Sequence, residues 1–298
     1  MNAHSNASLL IFGEVLFDRF PDGSIVLGGA PFNVARHLQA FGQSPLFISR
    51  VGDDSMGRQV KTAMLDWQMD TSGLQLDSAH PTGTVDINFV EGEPQYDIVE
   101  NRAYDFITYD YLPPLSGCRM LYHGSLALRN HTSHDTLVKL IAQLSAPTFV
   151  DINLRSPWYQ ADRLQPFLKK ACWIKLNKDE LFELFPDAAD INSAIEAALS
   201  QLQTGLLIVT LGSEGAMAMT RTGKQFNISP DKTTTVVDTV GAGDAFCSII
   251  MLGQLKSWPI DMTLTRAQDF ASAIVGQRGA TVNDTQFYQP FIQQWDLN

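Results

Sequence analysis

The chain predicts an α/β fold, with one body on a mostly parallel sheet and a small β appendage. Short apolar runs that end in glycine or polar residues alternate with stretches of helical period, and two hairpin-like segments interrupt that rhythm. No repeat, low-complexity stretch or linker divides the 298 residues. A parallel connection needs a covering crossover, so strand followed by helix is the pattern such a sheet requires. Length alone suggests about two domains. The interruptions are too short for a core of their own, so residues 1–298 read as a single domain.

In order, Leu9-Leu10-Ile11-Phe12 before Gly13 is a buried strand whose end carries Glu14 and Asp18. Pro21-Asp22-Gly23 is a turn and 24–27 its return limb. After Gly28-Gly29, apolar Ala30, Val34, Leu38 and Phe41 mark a helix, with Gly42 as its stop. Residues 46–51 form the next strand, and Met56, Val60, Met64 and Trp67 one face of the next helix. Alternating Val85, Ile87 and Phe89, a turn at Glu91-Gly92-Glu93-Pro94 and a return over 96–99 make the second hairpin. Further strands are expected at 120–123, 148–152, 173–176 and 206–211, and helices at 133–144, 179–185 and 191–202. A β-rich stretch at 216–228 and helices at 245–255 and 264–277 close the chain.

Composition narrows the function. With 21 basic and 32 acidic residues the net charge is −11, and no Lys/Arg run could track a phosphate backbone, so nucleic acid is not an expected partner. Cys118, Cys172 and Cys247 form no CxxC pair, which argues against a disulfide framework or zinc cluster. No apolar run approaches the roughly 20 residues that span a bilayer, and the N-terminus lacks a signal-peptide pattern. A cytoplasmic location and no membrane partner are the expectations.

The segment with most chemistry is Val237-Asp238-Thr239-Val240-Gly241-Ala242-Gly243-Asp244-Ala245-Phe246. Glycines around a small residue let successive amides point one way, and the helix that follows turns its positive end to the same spot. Such an anion hole can hold a transferring phosphoryl group while Asp244 takes a proton from an incoming hydroxyl. A first-turn carboxylate can also be a helix-dipole partner without chemistry. The segment is not GxxxxGK[ST], and no GxGxxG follows the first strand, so both common nucleotide folds are disfavoured.

Asp238 to Asp244 resembles the DTxGAGD signature of the ribokinase-like, or PfkB-type, sugar kinases. Gly28-Gly29-Ala30-Pro31-Phe32-Asn33 resembles that family's GG…N motif, Asn177-Lys178-Asp179-Glu180 its NxxE motif, and Thr210-Leu211-Gly212-Ser213-Glu214-Gly215 its TLGxxG segment. The resemblance implies a three-layer α/β/α sandwich with a mostly parallel central sheet and a small β-hairpin lid, formed here by the inserts near 17–27 and 84–101. It implies Asp244 as catalytic base and the backbone of Gly241, Ala242 and Gly243 as the hole for the γ-phosphoryl group of ATP. Asp18, Gly28, Gly29 and Asn33 would hold sugar hydroxyls. Asn177, Thr210, Gly212, Gly215 and Gln268 would lie along the nucleotide, and Glu180 would meet Mg²⁺ through water. Asn177 and Glu180 have a purely capping alternative, as Asn33 and Asp18 have a local one. Asp238, Thr239 and Gly279 correspond to a monovalent-cation site in relatives, which implies K⁺; a helix end capped by Gly279 explains that segment equally well.

Gly13-Glu14-Val15-Leu16-Phe17-Asp18 and Asp151-Ile152-Asn153-Leu154-Arg155 look most like fructokinases. The second segment is shared with 2-keto-3-deoxygluconate kinases. Arg155 divides the two: a guanidinium suits a keto-acid carboxylate, whereas beside a neutral ketohexose it serves as a hydrogen-bond donor or a structural or nucleotide-phosphate contact. Arg102, at the end of the second hairpin, is a second candidate donor. The expected reaction is transfer from MgATP to the 6-hydroxyl of D-fructose, with other sugars or nucleosides, or a sensor without chemistry, as alternatives. A homodimer through the lids is also expected.

Overall fold

Two sheets organise the computed structural model, which describes residues 8–90, 93–230 and 235–297. The strands of the first half are β1 (Leu9–Phe12), β2 (Leu16–Arg19), β3 (Ile25–Gly28), β4 (Leu46–Gly52), β5 (Leu74–Asp77), β6 (Gly83–Val90) and β7 (Glu93–Ile98). Those of the second are β8 (Met120–His123), β9 (Thr148–Asp151), β10 (Trp173–Asn177), β11 (Leu206–Thr210), β12 (Ala216–Thr220) and β13 (Gln225–Ile228). Between them run α1 (Ala30–Ala40), α2 (Ser55–Asp66), α3 (His131–Gln143), α4 (Ala161–Leu168), α5 (Lys178–Leu184) and α6 (Ile191–Leu202). The chain closes with α7 (Ala242–Lys256), α8 (Ile260–Val275) and α9 (Gln289–Gln294).

The main sheet has the order β13-β12-β11-β10-β9-β8-β1-β4-β5. It is parallel from β11 to β5 and turns antiparallel only at β12 and β13. Successive side chains of a strand point to opposite faces, and β1 divides accordingly. Leu9 and Ile11 pack with α1, α2, α7 and α8 residues such as Val34, Met64, Phe246 and Phe270. Leu10 and Phe12 pack with α3 to α6 residues such as Leu137, Leu164, Leu181 and Ile195. Both faces are therefore covered, which is why β1 is apolar and β1, β8 and β9 are buried along their length.

The two hairpins share a second sheet, of order β3-β2-β6-β7. It is joined by parallel pairing of β2 with β6, in register Asp18 to Val85, and closed by the bidentate Arg19–Asp86 ion pair at 2.5 and 2.6 Å. The tip of the second hairpin, including Glu91 and Gly92, lies outside the described residues.

Three elements differ from the sequence reading. Pro166 disguises α4, β5 is a four-residue edge strand, and α9 is a six-residue turn of helix. Helix α7 also begins three residues earlier than its apolar pattern, which puts Asp244 inside the first turn. Gly42 follows α1 at φ +71°, the left-handed stop expected of it.

Candidate active site

Glu14, Asp151, Asn177 and Thr210 stand at or just beyond the carboxyl ends of parallel strands, the edge where open α/β sheets bind ligands. Helix α7 arrives at the same edge. Its first residue is preceded by Gly241 at φ +80°, where a Cβ would lie 2.4 Å from Cα of Ala280, so only glycine fits. The Ala242 amide donates to the Thr239 carbonyl at 3.3 Å. The amides of Gly243 and Asp244 fall in the first turn, where a helix offers no acceptor. They lie at the positive end of a 15-residue helix, an arrangement that can receive an anion.

Asp244 is half-buried and accepts a 2.8 Å hydrogen bond from Nδ2 of Asn33. That bond ties the GG…N helix to the GAGD helix. Gly29 permits the approach: at φ +107°, a Cβ there would meet the Glu14 carbonyl oxygen at 2.8 Å. Loss of water pushes the Asp244 carboxyl up to about 7; Asn33, Lys175 and Arg155 oppose this and Asp151 adds to it. A carboxylate poised there suits general-base work at neutral pH.

Two more carboxylates share this end. Glu14 is 3% exposed, and its Oε2 has no partner among the described residues. Burial, assisted by Asp244, raises it to about 7, while its own backbone amide, Arg155 and Arg129 act against the rise. Asp18, on β2, is raised by burial to about 6, opposed by Arg155. Arg155 is exposed on the loop after β9, yet its charge reaches all three carboxylates. Arg102 stands apart: it influences Tyr104 rather than this trio, and its buried Nε lacks a partner among the described residues. Tyr104 presents a similarly unpartnered buried hydroxyl, raised by burial and sensitive to Glu14. Arg129 fixes this end. It pairs with Asp105 at 2.7 and 2.8 Å, donates to the carbonyls of Ile98 and Val99, and lies over the rings of Tyr104 and Trp158.

At the other end the polar groups are paired. Asn177 Oδ1 accepts from the Glu180 amide and Glu180 Oε2 from the Asn177 amide, both at 2.8 Å, while Oε1 accepts from Leu154. The NxxE pair thus builds a cap on α5, the local alternative weighed from sequence. Asn177 is in register with Thr210, and the next turn is held by Gly212 at φ +60° and Gly215 at φ +101°. Gln268 is not joined to these residues by a hydrogen bond; its amide donates to Ser272 one turn along α8. Asp238 accepts from Val240 and, through Oδ2, from Gly279 at 2.9 Å, which gathers that pair with Thr239 beside the loop. Among the described residues no group of three or more His, Cys, Asp and Glu side chains could hold a metal ion.

The sequence profile of the pfkB family carbohydrate kinases matches residues 6–286. The chain belongs to that family. This carbohydrate kinase is 32% identical over 282 residues to a fructokinase of Klebsiella pneumoniae, covering 90% of this chain and 91% of the relative. It is 29% identical over 296 residues to a fructokinase of Salmonella typhimurium, covering 92% and 95%. A fructokinase double mutant from Vibrio cholerae, solved with fructose, ADP and potassium ion bound, superimposes with a TM-score of 0.80 at 27% identity, over 96% of this chain and 99% of that one. The ribokinase-like α/β sandwich expected from the motifs is the observed fold.

Sequence reading passed over Tyr104, Arg129 and Lys175 and gave Glu14 no role. Lys175 had a signal: one cation inside the otherwise apolar strand Trp173-Ile174-Lys175-Leu176. Tyr104 and Arg129 had none, because their place depends on the closure of the second sheet.

Proposed function

We propose that this carbohydrate kinase transfers the γ-phosphoryl group of MgATP to the 6-hydroxyl of D-fructose. The observation that carries the reading is the Asn33–Asp244 bond, which joins a carboxamide to a carboxylate of raised pKa at the start of α7. Of the cations whose charge reaches Glu14, Asp18 and Asp244, Arg129 and Lys175 are already paired with Asp105 and Asp151 and only Arg155 reaches all three, so the acceptor end favours a neutral polyol over a keto acid. The likeness to fructokinases of about this length supports the same choice.

Asn33, Asp18, Gly28, Gly29 and Arg155 orient the sugar under the small sheet, which acts as the lid; Arg102 adds a donor from its hinge. Asp244 takes the hydroxyl proton as the oxygen attacks in line, and the Gly241, Ala242 and Gly243 backbone receives the charge that develops. Asn177, Thr210, Gly212, Gly215 and Gln268 lie along the nucleotide. The residues fit Mg²⁺ held chiefly by phosphates and water: Glu180 keeps a free lone pair on each oxygen beyond its cap bonds. When bound, the ion neutralises phosphate charge. Asp238, Thr239 and Gly279 would hold K⁺. Val26 and Tyr96 are exposed on one face of the small sheet and Ile25 on the other, and this sheet is the surface we propose for a homodimer. Among the described residues no helix is long and apolar enough to cross a membrane, and a cytoplasmic site of action is part of the reading.

An ADP-release assay with saturating MgATP over fructose, ribose, tagatose, 2-keto-3-deoxygluconate and adenosine tests the substrate. Fructose should give the highest kcat/KM; a clear preference for the keto acid, or no ADP with any acceptor, refutes it.

A further inference from the structure

Beneath the glycine run lies a charge that neither the acceptor nor the nucleotide residues use. Lys175, in mid-β10, is 7% exposed, and its ammonium donates to Asp151 Oδ1 at 2.9 Å. The other Asp151 oxygen is enclosed by the Cys247 thiol at 3.2 Å and the Tyr122 hydroxyl at 3.3 Å. Asp151 therefore points down into donors. Lys175 looks up: its Nζ lies 3.1 Å from where a Cβ on Gly243 would sit. Gly243, unlike Gly241, does not take a left-handed φ, so its backbone alone does not call for glycine. What a side chain at 243 would meet is the ammonium. The absence of a Cβ leaves a window between the lysine and the anion hole.

We propose that Lys175 is a positioning residue for phosphoryl transfer, whose buried ammonium acts through the Gly243 window to stabilise negative charge held on the loop. The Lys175–Asp151 pair is then a fixed dipole with its positive end toward the phosphoryl group, in a site where water does not screen it. Burial by itself would push the ammonium down; Asp151 outweighs it and keeps the lysine charged. The pair's field also reaches the base, Lys175 favouring the ionised Asp244 and Asp151 opposing it. An acidic protein thereby places one cation under the phosphate without exposing it. The inference rests on the kinase assignment and not on the choice of sugar.

The test separates rate from folding. Lys175→Met leaves a buried Asp151 charge unpaired and should destabilise the protein, whereas Lys175→Met with Asp151→Asn removes both charges and should recover most of the lost Tm. If the proposal holds, the double variant keeps a kcat about 10- to 100-fold below wild type, less than the loss of a direct anion-hole donor, with the acceptor KM within about twofold. Calorimetry needs no sugar: with Mg²⁺ present, the double variant should bind ADP like wild type and the γ-phosphate-bearing analogue AMP-PNP about tenfold more weakly. Recovery of kcat along with Tm, or equal loss of both nucleotides, overturns the proposal and leaves Lys175 a structural pair. A wild type that phosphorylates no sugar in the panel refutes the substrate reading instead, and the two nucleotides still decide the role of Lys175. A wild type that binds neither nucleotide overturns both.

Discussion

The two ends of the site are built on opposite plans. At the phosphoryl and nucleotide end, polar groups are paired: Asn177 with Glu180, Lys175 with Asp151, Asp238 with Gly279. At the acceptor end, Glu14 Oε2, Tyr104 Oη, Thr84 Oγ1 and Arg102 Nε are buried without partners among the described residues. Unpaired buried polar groups cost stability, so on the proposed function the incoming acceptor would complete the hydrogen bonding of this cluster. The difference teaches how one scaffold can serve many acceptors. On the proposed function, the phosphate would be met by backbone and a fixed ion pair, and the acceptor by side chains left open for it.

The sharpest break in this division is at the residue the two ends share. Asp244→Asn should lower kcat about 10²–10⁴-fold while fructose and ATP still bind, measured by steady-state assay and calorimetry; near-normal turnover would remove Asp244 from the role of base. With Asp244 held at about 7, kcat/KM should also rise with pH through neutrality. A pH-rate profile flat from pH 5 to 8 would contradict that.

Arg129 tests the frame that keeps the open end open. It and Asp105 are 7% and 2% exposed, so Arg129→Met should cost about 3–5 kcal/mol in denaturant unfolding, because it strands a buried carboxylate. A loss below about 1 kcal/mol, the range of surface pairs, would mean the clasp is dispensable.

Smaller effects fall on the unpartnered groups, and their sign is unusual. The ordinary pKa of Glu14 is 4.5, and the fold raises it to about 7. The folded protein therefore holds the proton more tightly than the unfolded chain, and stability falls as pH rises from about 4.5 to about 7. Asp18 and Asp244, raised to about 6 and about 7 from 3.8, add to the same slope. Glu14→Gln should flatten the Tm-against-pH curve and raise Tm at pH 8, while increasing fructose KM about tenfold, the cost of one charge-assisted hydrogen bond. A lower Tm at pH 8 would show that the carboxylate is already satisfied. Tyr104→Phe should change least, leaving Tm unaltered or slightly higher and raising KM a few-fold, by about 1 kcal/mol; unchanged KM would place its hydroxyl outside the acceptor pocket.

Much of this was legible in one dimension. The βα rhythm gave the parallel sheet because apolar runs and helical periods are local signals, and the GAGD and GG…N segments singled out two helix starts that the structure joins through the Asn33–Asp244 bond. Helix α4 was hidden by Pro166, a residue that argues against helix. Asn177 and Glu180 could be read as cap or as site, and the structure shows the cap without excluding the site. The open end was the least legible. Glu14 lies just past an apolar strand and Tyr104 sits in a short 3₁₀ turn, and neither position reveals that the charge of one reaches the other.

The parallel pairing of β2 with β6 also has a bearing on the order in which the molecule is made. Arg19 and Asp86, which close that pairing, are 67 residues apart, and α1, β4, α2 and β5 lie between them. Bringing such distant strands together carries a loop-closure cost that the intervening elements must first reduce by folding. The small sheet is therefore expected to assemble late, over a body that is already formed. Amides of β3 and β7, at its edges, should exchange with solvent well before those of β1 and β8, so that the small sheet can open and close without unmaking the large one.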